Sequence, residues 1–426
     1  MNKRLVVLMT VVLLLVAAPL AAQEATTITW LNCCNWPSEE VVAEFEAENP
    51  DINVEVETVG FNALFEQIQV RLGGGASDPD VLSVDVPVTA GYGLRGWLLP
   101  LDDAFSDEDR ADWLPAALAA GTYNGELISA PVSTSTQLLF INSDMFEAAG
   151  IEVPGVDDRL TYEQVADIAE QLTQDSDGDG VTDQWGFSWE QTVRIYQLQP
   201  LAVGLGGQSI GDDGLTVDGV INSQAWIDGF TFYSDMFNER KVAPQDDTIG
   251  ASDLFWSGKL GMMIAGPWNI NRYLREAEDI EFNWTVARHP YFEDGEITTP
   301  TGSWHIGVNV NSDSPDEAKR FVQWISTGTG AEAWWRRGSG DFPAQQSVLA
   351  LFQTDEEFDE GVEYFLRVAA DEATVNPDPR AVSPGYLEYE QILQDAFQDI
   401  RTGADVEESL NLAVARIESE MAKYRG

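Results

Sequence analysis

Apolar and polar positions repeat with two different periods along this chain, and each change of period marks an element. Ile28 to Leu31 reads as a strand. Val41, Val42 and Phe45 then fall at helical spacing behind Pro37, with Ser38 as N-cap and Asn49-Pro50 as the stop. Ile52, Val54 and Val56 alternate with polar residues, as in a half-buried strand. Phe61, Leu64, Phe65, Ile68 and Leu72 return to the helical period before Gly73-Gly-Gly75, and Asp78 to Asp85 follows as a buried strand entering a loop. This strand–helix–strand–helix–strand order predicts a parallel sheet with right-handed crossovers, hence an α/β fold. Leu260 to Ala265 is apolar throughout and too short for a helix; Gly266-Pro267 stops it and Trp268 opens a new periodic segment. A bulky ring is thereby placed at a strand's carboxyl end, where open α/β sheets hold ligands, although a Trp capping the core would show the same spacing. Tyr386, Tyr389, Leu393 and Phe397, then Val406, Leu410, Ala413, Ile417 and Met421, trace two amphipathic helices.

At 426 residues the chain exceeds what one core usually serves, so two lobes are expected. Charge narrows the function: 72 acids against 23 bases give −49, a field that repels nucleic acids and anionic membrane surfaces. Lys3 and Arg4 precede an apolar run from Leu5 to Ala18, and Pro19-Leu-Ala-Ala22 supplies small residues for cleavage. Residues 1–22 therefore read as a signal peptide, too short to span a bilayer, and the mature protein is expected to be periplasmic or secreted, and soluble.

The stretch Gly258-Lys-Leu-Gly-Met-Met-Ile-Ala-Gly-Pro-Trp268 resembles a segment of the family 1 extracellular solute-binding proteins, the sugar receptors of ABC importers. Phe45-Glu-Ala-Glu-Asn-Pro-Asp-Ile-Asn-Val-Glu55, Gly73 to Val81 and Gly96-Trp-Leu-Leu-Pro-Leu-Asp-Asp103 resemble the start of such a protein. Leu138 to Phe146, Ser312 to Ile325 and Arg337 to Pro343 resemble later segments; each motif is loose, but their order is specific. The resemblance implies a two-lobed periplasmic binding protein fold of type II. Each lobe is then a mostly parallel sheet flanked by helices, with the ligand cleft between lobes. Carried onto this chain, lobe one is 23–136 plus 302–341 and lobe two is 137–301 plus 342–426. It also implies that Trp268 stacks on a sugar.

Other motifs weigh less. Gly91-Tyr-Gly-Leu-Arg-Gly96 satisfies G-x-G-x-x-G but is not followed by a helix, as a dinucleotide loop requires. Gly207-Gln-Ser-Ile-Gly211 satisfies G-x-S-x-G within a run of turn formers, and His289 and His305 are the only histidine bases to serve it. Asp175, Asp177, Asp179 and Asp183, with Gly180 and the Val181 carbonyl, follow a Ca²⁺-loop pattern except at position twelve, which is Gly186 rather than Glu. A structural Ca²⁺ is expected, with an acidic surface turn as the alternative. Cys33 and Cys34 are the only cysteines; an oxidising compartment permits a disulfide between them, and two buried thiols are the other reading.

These lines converge on a carbohydrate receptor, not an enzyme. It is expected to be a monomer that closes on a mono- or oligosaccharide and delivers it to an ABC permease, with no nucleic-acid partner and no organic cofactor. A secreted glycan-active enzyme and a receptor for a non-sugar solute are the alternatives. Ligand contacts are expected from Trp36, Asp85 and Trp304 in lobe one and from Trp189, Glu190 and Trp268 in lobe two, with Arg337 and Asp341 near a crossing. Rings cover the apolar faces of sugars, while carboxylates and Arg satisfy hydroxyls that would otherwise be buried unpaired.

Overall fold

The alternating runs near the N-terminus become β1 (Thr26–Cys33), β2 (Ile52–Val59) and β3 (Val81–Asp85), and β1 pairs in parallel with both others. In this computed structural model residues 25–425 are described, apart from 35, 37, 247, 277, 279 and 338–340; the expected signal peptide lies outside them. A short hairpin of β4 (Thr122–Tyr123) and β5 (Glu126–Leu127) precedes β6 (Ala130–Ser135). The chain then supplies β7 (Leu138–Asn142), β8 (Trp185–Trp189), β9 (Leu260–Ala265) and β10 (Trp284–Arg288). It finishes with β11 (Thr299–Val308), β12 (Phe342–Pro343) and β13 (Pro377–Pro379).

Among the described residues these make two main sheets, ordered β12-β6-β11-β3-β1-β2, with β13 beside β11, and β10-β7-β9-β8. The sheets depart from parallel at the strands that receive the chain as it crosses between lobes. Only Thr136 and Gln137 separate β6 from β7, which runs antiparallel to β9. After the return crossing, β11 runs antiparallel to β3 and β6. A strand entered straight from the cleft has no helix to reverse its direction, so it must run away from the cleft while its neighbours run toward it. The carboxyl ends of β1, β3, β8 and β9 consequently face one another across the gap. The third passage pairs β13 with the first residues of β11. Phe342-Pro343, assigned to lobe two from the resemblance, is an edge strand on β6 of the first sheet.

The first sheet is buried under Trp30, Phe45, Trp113, Phe321 and Trp334, with the Trp30 indole N–H donating to Ser83 Oγ at 3.1 Å. On the second, Phe140, Phe255, Trp256 and Ile270 fill the space between sheet and helices. The two amphipathic stretches near the C-terminus are the helices Tyr386–Arg401 and Val406–Met421, which pack on the helix Gln224–Asn238. No helix of the described residues is long and apolar enough to cross a membrane. Gly91 and Gly93 lie inside the helix Thr89–Arg95, and Gly96 is its left-handed C-cap, so no dinucleotide loop exists there. Nor does a triad assemble on Ser209. His305 Nδ1 is bonded to Ser129 Oγ at 3.0 Å, and His289 packs edge-on against Tyr162; burial pushes both imidazoles well below their usual range.

Candidate functional site

A cleft of about 790 Å³ opens where the strand ends meet. Trp36, Phe61, Asp85 and Trp304 line it from the first sheet's side, and Glu190, Arg194, Trp268 and Arg272 from the second's. Trp36 follows β1 and stands edge-on to Trp304 (4.8 Å, 85°) and Trp334 (5.4 Å, 87°). Trp304 in turn meets Phe61 edge-on at 6.0 Å. These contacts fix the rings before any ligand arrives, so little side-chain entropy is left to lose on binding.

Opposite them, Glu190 leaves the end of β8 with its amide bonded to Ile264 O at 3.0 Å. Its carboxylate accepts from the Trp268 indole (2.8 and 3.0 Å), Asn269 Nδ2 (2.8 Å) and Gln197 Nε2 (3.3 Å). Burial pushes the Glu190 carboxyl above its usual range, against the pull of those donors on its charged form. Asn269 Oδ1 is held by Ser252 Oγ at 2.8 Å and by the Trp256 indole at 3.2 Å.

The floor is a group of paired charges drawn from distant parts of the chain. Arg380, just past β13, grips both oxygens of Asp85 and stacks over Tyr196 at 5.2 Å. Arg194, at the N-cap of the helix Ile195–Val203, donates to Glu390 at 2.9 Å and lies 3.9 Å from Asp85 and 4.4 Å above the Phe61 ring. It therefore links the two sides of the cleft. Asp341 accepts from Ser133 Oγ at 3.4 Å; burial first, and then the charge of Asp85, push its carboxyl up to about 7.

Six of the eight ligand residues expected from sequence thus line this cleft: Trp36, Asp85, Glu190, Trp268, Trp304 and Asp341. Trp189 does not. Alternation along β8 puts Phe187 and Trp189 on one face, where they meet edge-on at 4.6 Å, and Tyr233 and Phe237 cover Trp189 completely. Arg337 does not either, since it pairs with Glu44 and Glu40 on the helix Ser38–Glu48. Arg194, Arg380, Tyr196, Phe61 and Arg272 are lining residues that sequence reasoning missed. The one available signal was the scarcity of bases in so acidic a chain.

Cys33 and Cys34 are joined by a disulfide at the end of β1; Cys33 is buried, while Cys34 is exposed and on the cleft wall, with φ 69°. In the acidic loop, carboxylate oxygens of Asp175, Asp177 and Asp179 lie within 4.8 Å of one another. Asp175 accepts from the amides of Gly178 and Gly180, both at 2.7 Å. Asp183 is turned to Ser176, accepting from its amide and hydroxyl, so the expected fourth carboxylate is not in the group.

Residues 37–332 match the bacterial extracellular solute-binding proteins. The chain belongs to that family. Among solute-binding proteins of this kind, a putative binding protein of Brucella abortus (strain 2308) is 25% identical over 375 residues, covering 86% of this chain and 84% of the relative. The mannitol-binding protein of Pseudomonas aeruginosa is 22% identical over 326 residues, 73% of this chain and 71% of the relative. An ABC substrate-binding protein of Listeria monocytogenes in complex with cycloalternan shares the fold, with a TM-score of 0.81 and 24% identity, covering 94% of this solute-binding protein and 100% of that one.

Proposed function

We propose that this solute-binding protein is a carbohydrate receptor that closes on a neutral mono- or oligosaccharide and presents it to the permease of an ABC importer. The observation that carries the reading is the cleft itself. Fixed aromatic faces stand on both sides of it, Trp36 and Trp304 against Trp268, with carboxylates and arginines between them. A ligand that touches both sides shifts an open–closed equilibrium by its differential contacts with the two states. Binding of cycloalternan and of mannitol by relatives supports a sugar or polyol. Titrating intrinsic Trp fluorescence with neutral sugars, polyols and sugar phosphates tests it. Saturable changes with neutral sugars or polyols are expected, and a response confined to phosphates or to non-carbohydrate solutes would overturn the reading.

Secretion through the signal peptide at 1–22, action as a monomer, and a structural Ca²⁺ in the loop 175–183 belong to the same proposal. Asp175, Asp177 and Asp179 would supply the Ca²⁺ oxygens, with the Val181 carbonyl. Three clustered carboxylates on a chain of charge −49 repel one another unless a cation sits among them, which supports the metal.

A further inference from the structure

We propose that Glu190 and Gly266 are positioning residues for the Trp268 ring, holding it flat against the lobe-two wall so that one face is presented to the ligand. The inference rests on the reading above that Trp268 stacks on a sugar, and adds how the chain presets that surface. A Cβ built at Gly266 would fall inside van der Waals contact with Cε3, Cζ3 and Cη2 of Trp268, so the six-membered ring lies directly on the Gly266 backbone. Gly266 is buried and its φ is not left-handed, so glycine is needed here for this close approach, not for its conformation.

At the other end of the indole, Nε1–H meets both Glu190 oxygens at 2.8 and 3.0 Å. The Gly266 amide also stabilises the charged carboxylate, so one acid fixes the ring and the turn beneath it. Asn269 Nδ2, one residue on, donates to the same carboxylate, and Ser252 and Trp256 pin Asn269 from behind. Trp268 is half-buried, whereas Ala265, Gly266, Pro267 and Asn269 are buried, which leaves the indole's remaining surface to the cleft. A ring held at an edge and on one face keeps the other face available with few rotamers to lose on binding. Gly266 after β9 and Glu190 after β8 thus act on one ring from its face and its edge.

The experiment measures affinity for whichever neutral sugar or polyol the fluorescence titration identifies, with near-ultraviolet circular dichroism of the unliganded protein and a melting curve for each variant. Trp268→Ala, Trp268→Phe, Glu190→Gln, Gly266→Ala and the double variant Glu190→Gln/Trp268→Phe are compared. Glu190→Gln replaces a charged acceptor by a neutral amide whose NH2 must face some of these donors, and is expected to lower affinity about tenfold or more. In the Trp268→Phe background, which has no indole N–H, the same substitution should cost less than about threefold. Gly266→Ala should lower affinity comparably and alter the near-ultraviolet spectrum. If Glu190→Gln costs the same in both backgrounds, Glu190 touches the ligand and does not act through Trp268. Wild-type affinity and spectrum in a folded Gly266→Ala protein overturn the role of the glycine; should that variant not fold, the double-variant comparison decides alone. Unchanged affinity in Trp268→Ala would overturn the stacking reading itself, an outcome separate from all of these.

Discussion

Replacing Asp85 by Asn removes one charge from a group of four that the cleft floor holds together. Asp85 and Arg380 are 2% and 5% exposed, and Arg194 and Glu390 complete a set of two acids and two bases. In Asp85→Asn the two guanidiniums keep Glu390 as their paired acid, and Asp341 is the nearby carboxyl left to offset the excess positive charge in a site that water reaches poorly. In Arg380→Met the excess is negative, but Arg194, already 3.9 Å from Asp85, remains between both acids. Breaking a buried pair costs about 3–5 kcal/mol because the surviving charge stays desolvated. We therefore expect that cost for Asp85→Asn, a smaller one for Arg380→Met, and partial recovery in the double variant. With an unfolding entropy of about 2.1 cal/mol/K per residue over about 400 residues, the larger cost corresponds to a Tm lower by about 4–6 °C. Urea unfolding with m held common, alongside thermal melts, measures all three. An Asp85→Asn protein within about 1 kcal/mol of wild type, or a double variant less stable than either single one, would refute the reasoning.

Three further outcomes are expected. Calcium should raise the melting temperature and a chelator lower it, with a gain of about 2.7 kcal/mol at about a hundredfold excess over Kd; Asp179→Ala should abolish the difference, and indifference of the wild type to both reagents would reduce the loop to an acidic turn. Cys33 and Cys34 should resist alkylation until a dithiol reductant is added and then take two labels by intact mass, with sugar affinity falling because Cys34 forms part of the cleft wall; two labels without reductant would refute the pairing. Asp341, whose carboxyl is pushed up to about 7 from its usual 3.8, keeps a proton in the folded state that the unfolded chain releases. Its stabilising contribution is therefore present below about pH 4 and lost as pH rises through about 7, so Asp341→Asn should gain on wild type in Tm between about pH 4.5 and about pH 8; a constant difference would show that Asp341 does not titrate there.

The strands and helices were legible because their residues obey local periods, and Trp268 because Gly266-Pro267 marks the end of a buried run. Trp189 shows where locality fails. Trp189 and Glu190 are neighbours at the end of one strand, and alternation sends them to opposite sides, the first under Tyr233 and Phe237 and the second to the cleft. Both are ligand candidates by sequence because nothing within the strand says which face the helix Gln224–Asn238 will cover. Arg337 is a candidate by its place near a crossing, yet its partners, Glu40 and Glu44, are almost three hundred residues away. Arg194 and Arg380 went unnoticed for the same reason. Each is defined by an acid about 200 or 300 positions distant, Glu390 and Asp85, and pairing at such separation leaves no periodic trace.

The placement of these arginines also bears on the kind of solute the cleft accepts. Arg159 meets buried Glu372 at 2.7 Å, as Arg194 meets Glu390 and Arg380 meets Asp85, so scarce bases are spent on buried acids while much of the surface remains anionic. Beyond a Debye length of about 8 Å in physiological salt that surface field is largely screened, so inside the cleft the local charges decide. There, two guanidiniums of the floor are already matched by two carboxylates, and Glu190 and Asp341 add acid rather than base. Arg272, the third lining arginine, is paired with Asp253 at 2.9 Å. An anionic sugar would have to displace one of those carboxylates from its arginine, whereas a neutral one can accept from a guanidinium edge and donate to a carboxylate with the pairs intact. On the proposed reading, the paired floor favours hydroxyls over phosphates, and the aromatic walls favour the ring faces that carry them.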